Sequence, residues 1–394
     1  MENNTSTIVS NCSELNPNET NFGSLNTPLA TFTEQEISIQ ELYDYIYPQT
    51  IEWILIVTYA LTFVIGVVGN ILVCFAVWRN KDLRTITNIF MVNLSIADLL
   101  ILIFCLPSAL LVDVTATWFL GTIPCKLHIF LATLTISVSV MTLCAISVER
   151  WYAICHPLRF HSTVRRARYI IAIIWLASVG VAVPELITST VVPLRSDTVL
   201  LSACYPALWD DESIVIFQIC LMVGLYFLPI AVMAFNYIHI ALVLWRSNTS
   251  ETIELRARKP MIGGGIRVHQ NVGQTESRKK AVRMLVAVVM LFALCFLPNH
   301  TLNILRYTGQ LQNVPNKRIF ALFAHWATFF NSCINPVIYN FMSESFRKAF
   351  KKVAVQSCFR CKKKRRHWQR PSSYHMTFTG SRSVGVRFSR NIST

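Results

Sequence analysis

The sequence predicts an all-α fold, a bundle of seven membrane-spanning helices followed by a short amphipathic helix at the membrane surface. Hydrophobic residues make up 53% of the 394 residues and charged residues only 14%, whereas soluble domains average roughly 25% charged residues. Uncharged stretches recur at about the 20 residues that a helix needs to cross a bilayer. Because backbone amides in lipid must be paired within their own segment, these stretches should be helical.

Seven apolar stretches define the predicted spans, and Asp98 is a charge inside the second of them. The fourth stretch is short, so its helix must extend into the charged residues on both sides. The stretches are Trp53–Trp78, Asn88–Val112, Leu127–Val148, Tyr169–Pro184, Ser213–Trp245, Met284–Leu305 and Ile319–Ser343. Residues 1–50 are therefore predicted to be an N-terminal segment and residues 51–343 the membrane bundle.

The charge distribution places the N-terminus outside the cell. The first 50 residues contain seven acidic residues and no Lys or Arg. With seven spans, only five of the 36 basic residues fall outside, as the positive-inside rule requires. These five are Lys126, Arg195, Arg306, Lys317 and Arg318. The net charge of +15 therefore reflects cytoplasmic segments, and no interleaving of basic and aromatic residues indicates nucleic-acid binding.

Residues on the outer side carry signals for covalent modification. Four glycosylation sequons start at Asn3, Asn4, Asn11 and Asn18. The chain does not begin with the basic-then-apolar pattern of a cleavable signal peptide, so the first span is expected to direct export. Cys125 and Cys204 both lie at outer ends, and an oxidising compartment predicts a disulfide between them. Cys12 has no assigned partner.

The cytoplasmic C-terminus predicts a membrane-surface helix over residues 344–356. Phe346, Phe350 and Val353 recur at helical spacing beside basic residues, the pattern of an amphipathic helix on anionic lipid. Cys358 and Cys361 follow as candidate palmitoylation sites. Residues 357–394 are predicted to be a disordered cytoplasmic tail, whose hydroxyls are either kinase targets or unmodified linker. Arg246–Arg283 reads as a flexible loop.

Short motifs in the predicted spans occur together in one known family. They are Asn70 in "GN", Asp98 in "NLSIADLL", Glu149-Arg150-Trp151, Trp175, Pro229 with Tyr237, "FALCFLP" over residues 292–298, and "NPVIY" over Asn335–Tyr339. Because these motifs occur in this order, the chain resembles rhodopsin-class (class A) G-protein-coupled receptors over about residues 50–356. The second and seventh spans and "RWYAICHPL" resemble the neuropeptide branch, above all orexin and allatotropin receptors, with trissin receptors a close competitor.

The resemblance implies a ligand pocket at the outer ends of the spans. Its predicted residues are Asp113, Ala132, Ile136, Glu185, Phe217, Tyr226, Asn303, Arg306, His325 and Phe329. Ala132 stands where amine receptors carry an Asp, which argues against amines, and Phe329 stands where opsins carry a Lys, which excludes retinal. Glu185 replaces the glutamine of orexin-type receptors and could select a basic ligand group. His325 is either a ligand contact or a structural partner of a neighbouring helix.

Asp98 is the most unfavourable residue for lipid, since a charge at mid-membrane costs roughly 2.5–3.5 kcal/mol. It is either protonated and hydrogen-bonded, or it binds a cation. The resemblance implies a sodium pocket that collapses on activation, built from Asp98, Ser139, Asn331 and Asn335. Hard cations prefer such oxygen ligands. Sodium is the only allosteric ion expected, and no further cofactor is predicted.

The resemblance also implies a conformational switch. Glu149 and Arg150 would form a latch at the inner rim, the alternative being an arginine that simply snorkels to lipid phosphates. Tyr237 and Tyr339 would support the open state, and Arg278 leaves no acid for an ion lock to the sixth span. In the sixth span Pro298 is read as a hinge rather than a mere kink. Phe292 and Phe296 lie beside it, Phe296 replacing the usual Trp.

The predicted function is that of a plasma-membrane peptide receptor with an extracellular N-terminus, and not of an enzyme. The expected ligand is a basic or amidated neuropeptide, favoured by an acidic outer surface that attracts cations. The expected cytoplasmic partners are a heterotrimeric G protein, leaning towards Gq with calcium release, a receptor kinase and arrestin, beside membrane lipid. The alternatives are a seven-span transporter, which would show inverted repeats, and a receptor for a non-peptide ligand.

Overall fold

A computed structural model describes residues 50–157, 163–193, 201–257 and 265–352. The membrane helices are α1 (Thr50–Arg79), α2 (Ile86–Thr115), α3 (Thr122–Cys155), α4 (Val164–Thr188), α5 (Asp211–Met222, Val223–Phe227 and Leu228–Ala257), α6 (Gly265–Tyr307) and α7 (Lys317–Met342). Helix α8 covers residues 344–352, after a break at residue 343. Short 3₁₀ turns, Lys81–Leu83 and Gln310–Asn313, follow α1 and α6.

Six helices, α1 to α6, are long and apolar enough to cross a membrane. Helix α7 packs between α1 and α6 and completes the bundle. Its hydropathy is lowered by His325, Asn331 and Asn335, which are buried or half-buried. Helices α1 to α6 extend beyond their predicted apolar stretches, and α4 reaches from Val164 to Thr188 into polar flanks as expected. The prediction of a flexible loop over Arg246–Arg283 is wrong for most of that segment, because α5 continues to Ala257 and α6 begins at Gly265.

The distribution of side chains is that of a membrane protein. Large apolar residues such as Trp53, Leu176 and Phe235 are exposed on the outer surface of the bundle, where lipid rather than water would contact them. Polar residues such as Asn70 and Asp98 are instead buried between the helices. The polar groups that bear on function therefore lie inside the bundle.

Helix α3 runs through the centre of the bundle and packs against α2, α4 and α5. Helices α1 and α7 approach closely at Gly69, where an added Cβ would lie 2.8 Å from Cβ of Pro336. Any larger residue at position 69 would therefore push these two helices apart. The close packing fixes α7, and with it Asn335, against α1 and α2.

Several membrane helices continue through a proline, and in two of them a π-helical turn comes just before it. Pro184, Pro298 and Pro336 lie inside α4, α6 and α7. In α5 a π-helical turn, Val223–Phe227, comes just before Pro229. A second one, Ile101–Cys105, lies just before Pro107 in α2. A proline has no N–H to donate, and π-helical turns accommodate such interruptions inside α-helices.

The outer surface is tied together by the second outer loop. Strands β1 (Thr190–Val192) and β2 (Ala203–Tyr205) pair antiparallel, with Val191 opposite Cys204. A disulfide joins Cys125 at the start of α3 to Cys204 in β2, as predicted. Lys126 donates hydrogen bonds to the carbonyls of Leu186 and Ile187. The start of α3 is therefore anchored both to the loop and to the end of α4.

Candidate functional site

Asp113 joins three helices at the outer end of the bundle. Its Oδ2 accepts a hydrogen bond from the Tyr59 hydroxyl of α1 at 2.6 Å. Its Oδ1 lies 2.7 Å from Nδ1 of His325 in α7. Of the two interpretations of His325, the structural partnership is therefore present. Both oxygens of this carboxylate are engaged within the bundle.

Glu185 is the second buried carboxylate of the outer half and belongs to a separate network. Its carboxylate accepts hydrogen bonds from Thr133 in α3 and Gln218 in α5. Asn303 of α6 in turn donates to Oε1 of Gln218 at 3.3 Å. Glu185 is only 4% exposed, and among the described residues it has no cationic partner. This carboxylate is therefore surrounded by neutral groups.

The remaining predicted pocket residues differ in their surroundings. Ala132, Ile136 and Phe329 belong to one apolar cluster with Tyr59, whose ring centroid lies 5.8 Å from that of Phe329. Phe217 contacts the ring of Trp209 at 5.1 Å, and Arg306 is exposed near the end of α6. These five residues belong to the outer half and come from four helices, since Ala132 and Ile136 are both in α3.

Tyr226, unlike the residues above, forms a hydrogen bond through its hydroxyl group that joins α5 to α6. It donates to the carbonyl oxygen of Ala293 at 2.9 Å. The ring lies 5.3 Å from that of His300 and 6.3 Å from that of Phe292. Nε2 of His300 is buried and has no hydrogen-bond partner in the described structure. Tyr226 is thus placed to link the outer pocket to α6.

Sequence reasoning missed four polar residues that complete these networks, namely Tyr59, Thr133, Gln218 and His300. Gln218 could have been noticed as an amide inside an apolar stretch. His300 could have been noticed in the same way. Thr133 and Tyr59 carry no local signal, because their partners lie in different helices, 52 residues away for Thr133 and 54 for Tyr59. Their roles follow only from the packing of the bundle.

At mid-membrane, Asp98 accepts a hydrogen bond from Nδ2 of Asn335 at 3.0 Å. The predicted companions Ser139 and Asn331 are also buried. Three buried oxygens of α1 and α2 have no hydrogen-bond partner in the described structure: Asp98 Oδ1, Ser95 Oγ and Asn70 Oδ1. Buried polar atoms are normally paired, so these oxygens are exceptions, and a cation at Asp98 stays a prediction.

At the inner end of α3, Arg150 is bound by the adjacent Glu149. Nε and Nη2 of Arg150 lie 2.8 and 2.7 Å from Oε2 of Glu149, which also accepts a hydrogen bond from Thr87 at 3.2 Å. Glu149 is buried and Arg150 partly exposed. Tyr237 is buried and close enough to interact with the charge of Arg150. The structure therefore contains the predicted pair of Glu149 and Arg150, and its role as a latch stays a prediction.

Aromatic rings pack against each other within α6 and, separately, between α7 and α8. Phe292 and Phe296 are buried in α6 with ring centroids 4.7 Å apart, and Pro298 follows within the same continuous helix. At the inner end Tyr339 of α7 contacts Phe346 of α8 at 5.8 Å. A chain of contacts therefore runs along α6, and a separate one ties α7 to the surface helix.

Helix α8 is amphipathic over its described residues. Phe346 and Ala349 are buried, whereas the basic residues Arg347, Lys348, Lys351 and Lys352 are exposed. Glu344 pairs with Lys348 at 2.7 Å, and this ammonium group holds the pKa of Glu344 below its usual range. The predicted glycosylation sites at Asn3, Asn4, Asn11 and Asn18, and the palmitoylation sites Cys358 and Cys361, lie outside the described residues.

These features together define a seven-helix membrane receptor, with buried polar networks in its outer half and an acid–arginine pair at the inner rim. The family model "7 transmembrane receptor (rhodopsin family)" matches residues 69–339. The chain belongs to the rhodopsin family of seven-transmembrane receptors. It is therefore a multi-pass membrane receptor and not an enzyme.

Two relatives support the predicted branch. Human neuropeptide FF receptor 1 is 34% identical over 346 residues, covering 84% of this chain and 75% of the relative. The QRFP-like peptide receptor of Branchiostoma floridae is 34% identical over 300 residues, covering 75% of this chain and 76% of the relative. Both are peptide receptors by name, and the predicted place in the neuropeptide branch is confirmed.

Proposed function

We propose that the protein is a plasma-membrane receptor for a basic, amidated neuropeptide, with its N-terminus extracellular, and that it activates a heterotrimeric G protein. The observation that carries the ligand class is the buried carboxylate of Glu185, which has only neutral partners among the described residues. Buried charges in proteins are normally paired with an opposite charge. The names of the two relatives support a peptide as the source of that cation.

The outer surface supports the same ligand class. Asp210, Asp211 and Glu212 are exposed at the start of α5. Hydrogen bonds from Ser213 hold the pKa of Asp210 below its usual range, so this carboxylate stays charged at physiological pH. Acidic patches attract cationic ligands and raise their rate of association. The peptide would be guided to the pocket before its basic group reaches Glu185.

The experiment that tests this function is a screen of amidated neuropeptides on cells that express the full chain. Calcium release on peptide addition would support coupling through Gq, and changes in cyclic AMP alone would reassign the G protein. Agonist binding to membranes should weaken when a guanine nucleotide is added. Peptide uptake without nucleotide sensitivity would indicate a transporter instead, and a response only to non-peptide compounds would exclude the peptide class.

Replacing Glu185 by glutamine should weaken a basic agonist by at least about tenfold, because breaking a buried charge pair costs about 2–5 kcal/mol. A neutral analogue of the same peptide should lose far less potency. Thr133 and Gln218 can still bond to the amide, so the pocket keeps its shape. The measurement is the concentration–response curve for both peptides.

The matched control is Glu344→Gln, the same isosteric change at an exposed position on the cytoplasmic side of the membrane. It should leave both potencies unchanged. Equal losses for the basic and neutral peptides in the Glu185 variant would show that Glu185 supports the pocket without pairing with the ligand.

We further propose that Asp98, Ser139, Asn331 and Asn335 hold a sodium ion that favours the agonist-free state. The unpaired Oδ1 of Asp98 and its neighbouring buried oxygens fit a hard cation. Such an ion would supply positive charge to a carboxylate otherwise unfavourable in the membrane. Asn335 would hold the carboxylate through its hydrogen bond and release it when α7 moves.

Sodium chloride should therefore lower agonist affinity in the unmodified receptor relative to choline chloride at equal ionic strength. Asp98→Asn should abolish that difference, because an amide cannot supply the charge that holds the ion. The control Asp82→Asn, at an exposed position between α1 and α2, should keep it. A sodium effect that persists in the Asp98 variant would place the ion elsewhere.

Receptor kinases and arrestin complete the proposed set of cytoplasmic partners. The basic face of α8 would lie on anionic lipid at the inner membrane surface, since exposed Lys and Arg beside buried apolar residues favour that position. N-linked glycans and palmitoyl groups at the predicted positions belong to the same proposal.

A further inference from the structure

A hydrogen bond between two rings joins α3 to α5 at the cytoplasmic side. Nε1 of Trp151 donates to Nδ1 of His239 at 2.9 Å, and the ring centroids lie 5.9 Å apart. Trp151 directly follows Arg150, so this hydrogen bond lies on the same turn of α3 as the acid–arginine pair. Neither the ligand pocket nor the sodium site uses it.

The contact is the innermost member of a short ladder between the two helices. One turn further out, Nδ2 of Asn236 donates to the hydroxyl of Ser147 at 3.0 Å. Trp151 lies four residues after Ser147 and His239 three after Asn236, so both bonds lie on the same helix faces. The ladder therefore holds the inner half of α5 against α3 at two successive levels.

Both rings are held in place by their neighbours. Trp151 contacts the rings of Tyr152 and His156 edge-on, with centroids 4.7 and 4.8 Å away. His239 stacks on Phe235 with an angle of only 16° between the planes. An indole N–H is a donor only, so Nδ1 of His239 must be the acceptor. Packing thus fixes the geometry, and donor chemistry fixes the direction of the bond.

We infer that Trp151 and His239 are a positioning pair that holds α5 against α3 in the closed arrangement and so sets agonist-free activity. The bond coexists with the Glu149–Arg150 pair in one structure, so it adds stability to the arrangement in which that pair is closed. Without this bond the closed arrangement loses about the free energy of one hydrogen bond, so a larger fraction of the receptors adopts open forms. This inference rests on the proposed activation of a G protein.

Two substitutions remove the bond while keeping much of the bulk, Trp151→Phe and His239→Leu. Each should raise agonist-free nucleotide exchange about 2- to 10-fold, the range of one net hydrogen bond. Each should also tighten agonist binding, because a shift towards the open form changes both in the same direction. A residue that only supports folding would instead lower surface level and signal together.

A double variant and a conservative variant test whether the two residues act through the same hydrogen bond. Trp151→Phe combined with His239→Leu should raise agonist-free exchange no further than either change alone, since both remove one bond. His239→Asn keeps an acceptor at about the position of Nδ1 and should retain low agonist-free exchange. Trp78→Phe, at an exposed tryptophan of α1, is the matched control and should change nothing.

The measurement is guanine-nucleotide exchange per surface receptor, with and without agonist. Unchanged or lowered agonist-free exchange in either single variant at normal surface level would overturn the inference, as would additive effects in the double variant. If the Trp151→Phe receptor does not reach the cell surface, the comparison of His239→Leu with His239→Asn tests the inference. An unmodified receptor that shows no exchange at all would instead refute the proposed function.

Discussion

Arg150→Ala should reduce agonist-evoked nucleotide exchange by at least about tenfold, while agonist still binds. Nε of the guanidinium donates a hydrogen bond to Glu149 and Nη2 makes an ion-pair contact with the same oxygen, and hydrogen bonds to charged groups contribute about 1.5–3 kcal/mol. In the proposed open form this group leaves Glu149 and contacts the G protein. Its removal therefore takes away the interaction that only the signalling complex makes.

Glu149→Gln should act in the opposite direction and raise agonist-free exchange. The amide still accepts from Thr87 but no longer holds the guanidinium as an ion pair, so the closed form loses stability. Measuring both variants in one assay of exchange per surface receptor gives a contrast that general misfolding cannot produce.

The matched control for the arginine is Arg168→Ala, at an exposed position near the start of α4. It should leave exchange unchanged. If the Arg150 and Glu149 variants moved exchange in the same direction, the two residues would not work as a latch. Arg150 would then be an interfacial residue whose role is to contact lipid phosphates.

Replacing either Cys125 or Cys204 by alanine should largely abolish surface expression and peptide binding. The disulfide closes a loop between residues separated by 79 positions. For a loop of this size the chain-entropy estimate of stabilisation is about 4.5 kcal/mol, comparable to the stability of many whole domains. It also holds β2 over the outer end of α3, beside the proposed pocket.

The double variant, with both cysteines replaced, should be no worse than either single variant, because all three lack the same bond. The matched control is Cys220→Ala, a free and exposed cysteine in α5, which should be expressed normally. Surface labelling and thermal unfolding in detergent measure both effects. Losses that add in the double variant would mean that the cysteines act separately.

Apolar stretches of the sequence were sufficient to predict the seven helices, because lipid admits few alternatives to a helix. Helix ends were less predictable, since α3 continues for seven residues beyond Val148 through charged and aromatic residues. The disulfide could be predicted because Cys125 and Cys204 both lie at the outer ends of predicted spans, with Cys12 left over. The contact of Asp98 with Asn335 agrees with the predicted grouping of these residues.

Contacts between distant helices could not be predicted from one sequence. Nothing near Asp113 signals Tyr59, and nothing near Glu185 signals Thr133, since each pairing depends on helix rotation and tilt. The same holds for Trp151 and His239, which are 88 residues apart. Tyr226 was expected in the pocket, but its hydroxyl bonds to a backbone carbonyl that the sequence does not mark as available.

The π-helical turn Val223–Phe227 controls how α5 meets α6. Gln218 and Tyr226 are eight residues apart, and in a regular α-helix they would point about 80° away from each other. One extra residue in the wide turn removes about 100° of rotation, which brings both side chains to the same side of α5. Both indeed contact α6, at Asn303 and Ala293. The length of α5 is therefore a geometric constraint, because one residue fewer would put the two halves of the helix out of phase.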